Sequence, residues 1–279
     1  KYSCSSNCTF TGIKGEYYGA IDLNNAAGKM KIENCTFEGN EAKNAESKTR
    51  RGGAALFIEN AADCTVDNCT FTNNKASGTA FGGAVVLDNG NLLMINNVFE
   101  NNESASYGGA FGMSAQKGDV APVAIIRDCQ FTSNTAANGG AINQFKGTLT
   151  CEGCTFTSNE STRSDSKNFG GGAISTFYNS TNAKVGDPSL GDATGATALK
   201  NCIFVGNHAY GRGGCIHQLN TGGFVIDGCY FKENYGSDNT NGGGVIFHAG
   251  KTGTCDLYIS NSHFEGNYTL RNDANASGS

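Results

Sequence analysis

The chain contains no tryptophan, only two prolines and three methionines, and it is thin in the helix formers leucine, glutamate and lysine. A mainly helical fold is therefore disfavoured. Glycine, at 40 residues, together with abundant asparagine, serine and threonine, favours turns and short strands instead. No apolar run is long enough to span a membrane as a helix, and no signal peptide is present. The chain opens at Lys1 without an initiator Met, as expected of a processed chain or a fragment. Net charge is −5 and there is no basic block, so nothing points to a nucleic-acid partner. His-X-His and His-Glu-X-X-His spacings are absent, as is the Gly-X-Ser-X-Gly elbow. That removes the histidine-motif case for a metal centre and the case for that class of serine nucleophile, while Cys151-Glu-Gly-Cys154 is a C-X-X-C pair that would need a second pair beside it to hold zinc.

Cysteine, at 12 residues, is plentiful. Asn-X-Ser/Thr sequons stand at Asn7, Asn34, Asn68, Asn102, Asn159, Asn179, Asn267 and Asn275. Together they favour a secreted or cell-surface, oxidising setting with glycosylation at those asparagines.

Internal repeats organise the rest. A phenylalanine closes each unit, at Phe10, Phe37, Phe71, Phe99, Phe131, Phe156, Phe204, Phe231 and Phe264. Three residues later comes Asn40, Asn74, Asn102, Asn134, Asn159, Asn207, Asn234 or Asn267; only the first unit departs, with Ile13. Two residues before the Phe stand Cys8, Cys35, Cys69, Cys129, Cys154, Cys202 and Cys229, with Asn97 and Ser262 in the other two units. Positions five and seven before the Phe are nearly all apolar, the mark of a strand with one buried face. The two alternations are out of phase. At the slip, from the second unit on, sit only Asn, Asp or Gly, residues that tolerate the left-handed backbone of a sharp corner. A third segment, Gly-Gly-Ala plus an apolar residue, follows a loop of variable length.

Three strands per unit, each with an inward position, predict an all-β, single-stranded parallel β-helix of about nine turns over residues 1–269. Stacking buries what one unit cannot. Strands about 4.8 Å apart make a rod of roughly 40 Å, and the crossover preference makes it right-handed. Phe is expected to stack on Phe and Asn to form a ladder. Residues 41–51, 160–169 and 178–195 read as loops leaving the corners, and 270–279 as a polar tail or linker. Neither end of the frame carries an evident cap, which makes head-to-tail self-association into a filament a further expectation.

The alternation of Phe-X-X-Asn ("FEGN", "FTNN", "FTSN") with Gly-Gly-Ala-Ile-like phrases ("GGAV", "GGAF", "GGCI") resembles the repeat of the polymorphic outer membrane proteins and related adhesin-like β-helix proteins. The likeness spans roughly Gly19 to Asn267. It implies a surface-exposed or secreted right-handed β-helix used in adhesion or as a passenger domain, partnered by a glycan or a surface protein. No segment of these 279 residues reads as the C-terminal membrane barrel of complete autotransporters, so a complete autotransporter is not expected of this stretch alone.

Parallel β-helices also cut polysaccharides, and the alternative function is a lyase or glycoside hydrolase, with Ca²⁺ as its only cofactor candidate. Such enzymes align acids on neighbouring turns. Four residues before the Phe only Glu33 and Asp67 are neighbours, at a corner, so no catalytic residue is assigned and no metal site. Of the four histidines, His217 follows "GGCI" and is expected to point outward. The cysteines allow two readings. One is a file of small buried side chains. The other is disulfides between turns, with Cys8, Cys35, Cys69 and Cys154 in the inward file and Cys4, Cys64, Cys151, Cys215 and Cys255 as off-file partners.

Overall fold

The computed structural model describes residues 2–24, 28–43, 52–114, 121–164, 169–177, 196–219, 223–237, 243–249 and 257–270. The segments 44–51 and 178–195 and the tail beyond 270 lie outside them, as do Asn179, Cys255 and Asn275. The described residues form three parallel sheets wound into one coil. No described helix is long and apolar enough to cross a membrane.

One sheet consists of three-residue strands centred on the phenylalanines, such as Thr36–Glu38, Thr70–Thr72 and Gln130–Thr132. It has nine strands, and Phe pairs with Phe at every step from Phe10 to Phe264. Ring centroids lie 4.6–4.9 Å apart and the planes are within 6° of parallel. An isolated aromatic pair favours an offset or edge-on arrangement. Here the strand spacing imposes the face-to-face stack.

The Gly-Gly-Ala segment and the apolar segment before the corner, read from sequence as two separate strands, lie in a single long sheet. In Leu56–Asp67 and Val85–Ile95 they run together as one strand. The third face is a nine-stranded sheet of two-residue strands that follow the asparagines, among them Glu41–Ala42, Lys75–Ala76 and His208–Ala209. Two residues cannot display an alternation, so sequence periodicity passes over them. Their inward positions are small: Ala42, Ala76, Ser104, Ala136, Ser161 and Ala209.

Two corners take left-handed backbone. Asn34, Asn68, Asn96, Asp128 and Asn201, at the slip in the alternation, have φ of 50–55°. A second corner lies two residues after each Phe, at Asn73, Asn101, Ser133, Ser158 and Glu233 among others. Serine and glutamate do not advertise that conformation, so this corner is less uniformly marked in the sequence than the first. The second Gly of most Gly-Gly pairs, such as Gly83, Gly109, Gly140 and Gly172, has another task. A Cβ on Gly172 would fall 2.5 Å from the backbone nitrogen of His208, so glycine lets the long sheet close onto the third face.

Polar ladders satisfy the corners. Each ladder Asn donates through Nδ2 to the Oδ1 of the next Asn at 2.8–3.0 Å. It also donates to a Phe carbonyl in the coil before, as Asn74 does to Phe37. The cysteine file is a ladder as well. Each Sγ donates to the carbonyl two residues earlier, as in Cys69 to Asp67, and accepts the backbone N–H of the preceding coil, as Cys35 N–H donates to Cys69 Sγ. Asn97 and Ser262 substitute in this file because each supplies an acceptor oxygen, to the N–H of Cys69 and Cys229.

The disulfide expectation is corrected. Cys8, Cys35, Cys64, Cys69, Cys151, Cys154 and Cys215 are free thiols, along with Cys129, Cys202 and Cys229. Register is the reason for the off-file residues. Cys64 lies between Met30 and Leu92 and Cys151 between Ile126 and Leu199, so strand register sets neither beside a cysteine of the next coil; Cys151 instead shares a thiol hydrogen bond with Cys154. Cys215 stands between Ala173 and Val245. The side chain of Cys4 and all of Cys255 fall outside the described residues. Burial pushes Cys64 and Cys129 up to about 12, which removes the reactive thiolate at neutral pH. Ellman's reagent applied to protein denatured without reductant is expected to count at least the ten described thiols. Native protein should release far fewer, and a denatured count below ten would restore the bridges.

The outward side of the Gly-Gly-Ala strands is also covered. Phe57, Val86, Asn143, Ser175 and His217 point away from the coil yet are buried. Phe81 and Phe145 complete an outer apolar cluster, with Tyr18 and Tyr107 packed against it. His217 therefore does not meet solvent, contrary to the expectation from its place in the frame.

Candidate functional site

The outward column of the third face changes character along the rod. In the first coils it alternates in sign: Lys14 pairs with Glu41 at 3.2 Å and Lys75 with Glu103 at 2.8 Å. These are exposed pairs and contribute little to stability. In later coils the same column reads Glu160, His208, Tyr235 and Tyr268, each in register with the next. His208 stacks on Tyr235 at 4.2 Å and Tyr235 on Tyr268 at 5.0 Å. Tyr210 approaches the imidazole at 4.4 Å and 59°.

His208 Nδ1 lies 3.2 Å from Glu160 Oε1, and Nε2 lies 2.8 Å from Ser237 Oγ. Ser237 follows the strand Tyr235–Gly236 and is held in place by its N–H, which donates to Ala209 O at 2.9 Å. The His208 side chain is 11% exposed. Burial lowers its pKa, and the Glu160 carboxylate offsets part of that. His208 is therefore neutral at pH 7. A carboxylate only accepts, so Nδ1 carries the proton and Nε2 accepts from the Ser237 hydroxyl. The chain thus orders an acid, an imidazole and a hydroxyl on three successive coils.

None of this was assigned from sequence. The four histidines occupy different positions in the repeat frame, so no histidine column marks His208. The signal was there: Glu160, His208 and Tyr235 all stand four residues after a Phe. The neighbouring acids read from the sequence stand four residues before it instead. Those acids, Glu33 and Asp67, are register partners, and Glu33 forms an ion pair with Lys31.

The sequons divide. Asn7, Asn34 and Asn68 are exposed at corners. Asn102 and Asn159 are fully buried ladder residues whose Nδ2 already makes two hydrogen bonds, so a glycan there is incompatible with the fold. Asn267 is half-buried and occupies the last rung described. Among the described residues no group of three His, Cys, Asp or Glu side chains is placed to hold a metal ion.

A family model described as a right handed beta helix region matches residues 2–190. No curated protein and no solved structure matches the chain.

Proposed function

Because the chain belongs to the right-handed β-helix family, we propose that it is a surface or extracellular scaffold that holds a glycan along its outer face without cutting glycosidic bonds. The observation that carries this reading is the outward file of His208, Tyr235 and Tyr268 on successive coils, flanked by the exposed Tyr210. Stacking fixes the rings, so their phenols form a row at low entropic cost. An apolar body with a polar tip suits a hydroxyl-rich chain lying along the rod. The resemblance to repeats of polymorphic outer membrane proteins supports a surface setting. The three exposed sequons at Asn7, Asn34 and Asn68 support glycosylation there.

A lyase or glycosidase would need acids free to act on the substrate. The outward acids Glu41 and Glu103 are instead engaged by Lys14 and Lys75, which favours binding over cleavage. Affinity electrophoresis against a panel of plant, bacterial and animal polysaccharides tests the proposal. The chain should be retarded by at least one of them without generating new reducing ends. Tyr235→Ala combined with Tyr268→Ala should weaken that binding about tenfold or more, as loss of one aromatic anchor typically does. No retardation, or retardation unchanged by the double substitution, refutes it. Calcium-dependent release of oligosaccharides would establish the lyase alternative.

A further inference from the structure

The file that presents the tyrosines also contains a proton relay that binding does not require. The Ser237 hydroxyl donates to His208 Nε2, and His208 Nδ1–H donates to Glu160. Separations of 2.8 Å and 3.2 Å lie at hydrogen-bond reach for a nucleophile, its base and the group that orients the base. We infer that Ser237 is a nucleophile, with His208 as its general base and Glu160 as the positioning residue, and that it removes acyl groups esterified to hydroxyl-rich substrates. Only the choice of alcohol rests on the glycan reading above; the chemistry of the three side chains does not.

The surroundings fit that use. Ser237 is half-buried and the Glu160 side chain is 36% exposed, so an ester can approach from solvent. His208 is buried against Tyr235 and bordered by Tyr210, which fixes the imidazole plane and keeps it neutral and ready to accept a proton. The residues come from separate coils, yet strand register sets the backbones of Glu160 and His208 side by side.

The reaction balances without a metal or redox partner. Ser237 Oγ bonds to the acyl carbon while its proton passes to His208 Nε2. The tetrahedral adduct then collapses, the bond from carbonyl carbon to alcohol oxygen breaks, and His208 returns the proton to the departing alcohol. A water attacks the acyl-serine, gives one proton to His208, and the adduct collapses to release the carboxylic acid as Ser237 Oγ is reprotonated. One water is consumed, and one acid and one alcohol are formed. Glu160 stays ionised and stabilises the transient imidazolium.

The backbone N–H of Ser237 donates to Ala209 and is not available to an oxyanion. A missing oxyanion donor typically costs about 10²–10³ in rate. The activity should therefore be slow and strongest on esters with good leaving groups.

The test uses the whole chain with a fluorophosphonate probe and with p-nitrophenyl acetate. Wild type should be labelled, with the adduct mapped by mass spectrometry to Ser237. Ser237→Ala should abolish labelling, and His208→Gln should slow it about a hundredfold or more, the usual scale for general-base assistance. Glu160→Gln should slow it less and move the acid limb of the pH–rate profile to lower pH. The carboxylate raises the imidazole pKa, and the other groups facing His208, namely Tyr210, Tyr235 and Ser237, are retained. A purely structural hydrogen bond would not move that limb. Circular dichroism identical to wild type shows that each variant is folded. Absence of labelling on wild type, labelling elsewhere, or ester turnover unchanged in Ser237→Ala overturns the inference. Neither reagent is a glycan, so labelling without polysaccharide retention refutes only the binding reading, and retention without labelling refutes only this one.

Discussion

Replacing Asn134 by Ala is expected to lower the unfolding free energy by about 4 kcal/mol, since each stranded buried polar group costs about 1–3 kcal/mol. The side chain is completely buried and makes four hydrogen bonds of 3.0 Å. Its Oδ1 accepts the backbone N–H and the Nδ2–H of Asn102, and its Nδ2 donates to Phe99 O and to Asn159 Oδ1. Alanine strands two donors on Asn102 in a site with no access to solvent. Asn134→Asp keeps the shape but removes the donors and adds a charge facing two acceptors, so it should be at least as damaging. Asn267→Ala is the control. That rung is half-buried, and water can replace the lost bonds, so the cost should be on the order of 1 kcal/mol. Urea unfolding followed by circular dichroism measures all three. A loss below about 1 kcal/mol for Asn134→Ala would mean that the ladder is not what holds this corner.

Acid should unfold the chain largely through His217. The imidazole is buried, points outward beneath the outer layer, stacks on Phe247 at 5.3 Å and lies 3.3 Å from Ser175 Oγ through Nδ1. Burial first, and the charge of Arg212 second, hold its pKa down to about 3, against 6.5 ordinarily. The sign follows from proton counting. Between those values the unfolded chain binds the proton and the folded one does not, so stability falls as pH falls. The contribution is fully present above pH 6.5 and is lost on the way to pH 3. With about 1.4 kcal/mol for each pH unit, the loss approaches 5 kcal/mol. His208, also lowered by burial, adds in the same direction. His217→Asn puts at this position the residue found two coils earlier, Asn143. It should be less stable than wild type at pH 7 through the lost ring contact, and more stable near pH 4. Denaturation curves across that range should cross, and parallel curves would locate the acid sensitivity elsewhere.

These two sites differ in how readily the sequence discloses them. Asn134 is visible as a rung because Asn recurs three residues after the Phe in eight units. His217 has the correct outward parity, but parity does not reveal that the residue is buried there, stacked on Phe247 and beside Ser175 and Arg212. The cysteine file shows the same limit. Its recurrence places it inward, but only the coordinates show free thiols whose sulfurs hydrogen-bond carbonyl and N–H groups, as Cys69 does, with no covalent bridge among the described residues.

From the amino acids alone came the coil, the inward files, one left-handed corner and the Phe and Asn stacks. In a parallel in-register stack the period along the chain is also the period in space, so each file is written as a recurring residue type. Tertiary structure alone decided the two-residue third face, the second left-handed corner, the outer layer over the long sheet and the meeting of Glu160, His208 and Ser237. These depend on strands too short to alternate and on loops of unequal length. Through them residues 48 and 29 positions from His208 come within hydrogen-bond reach of one ring.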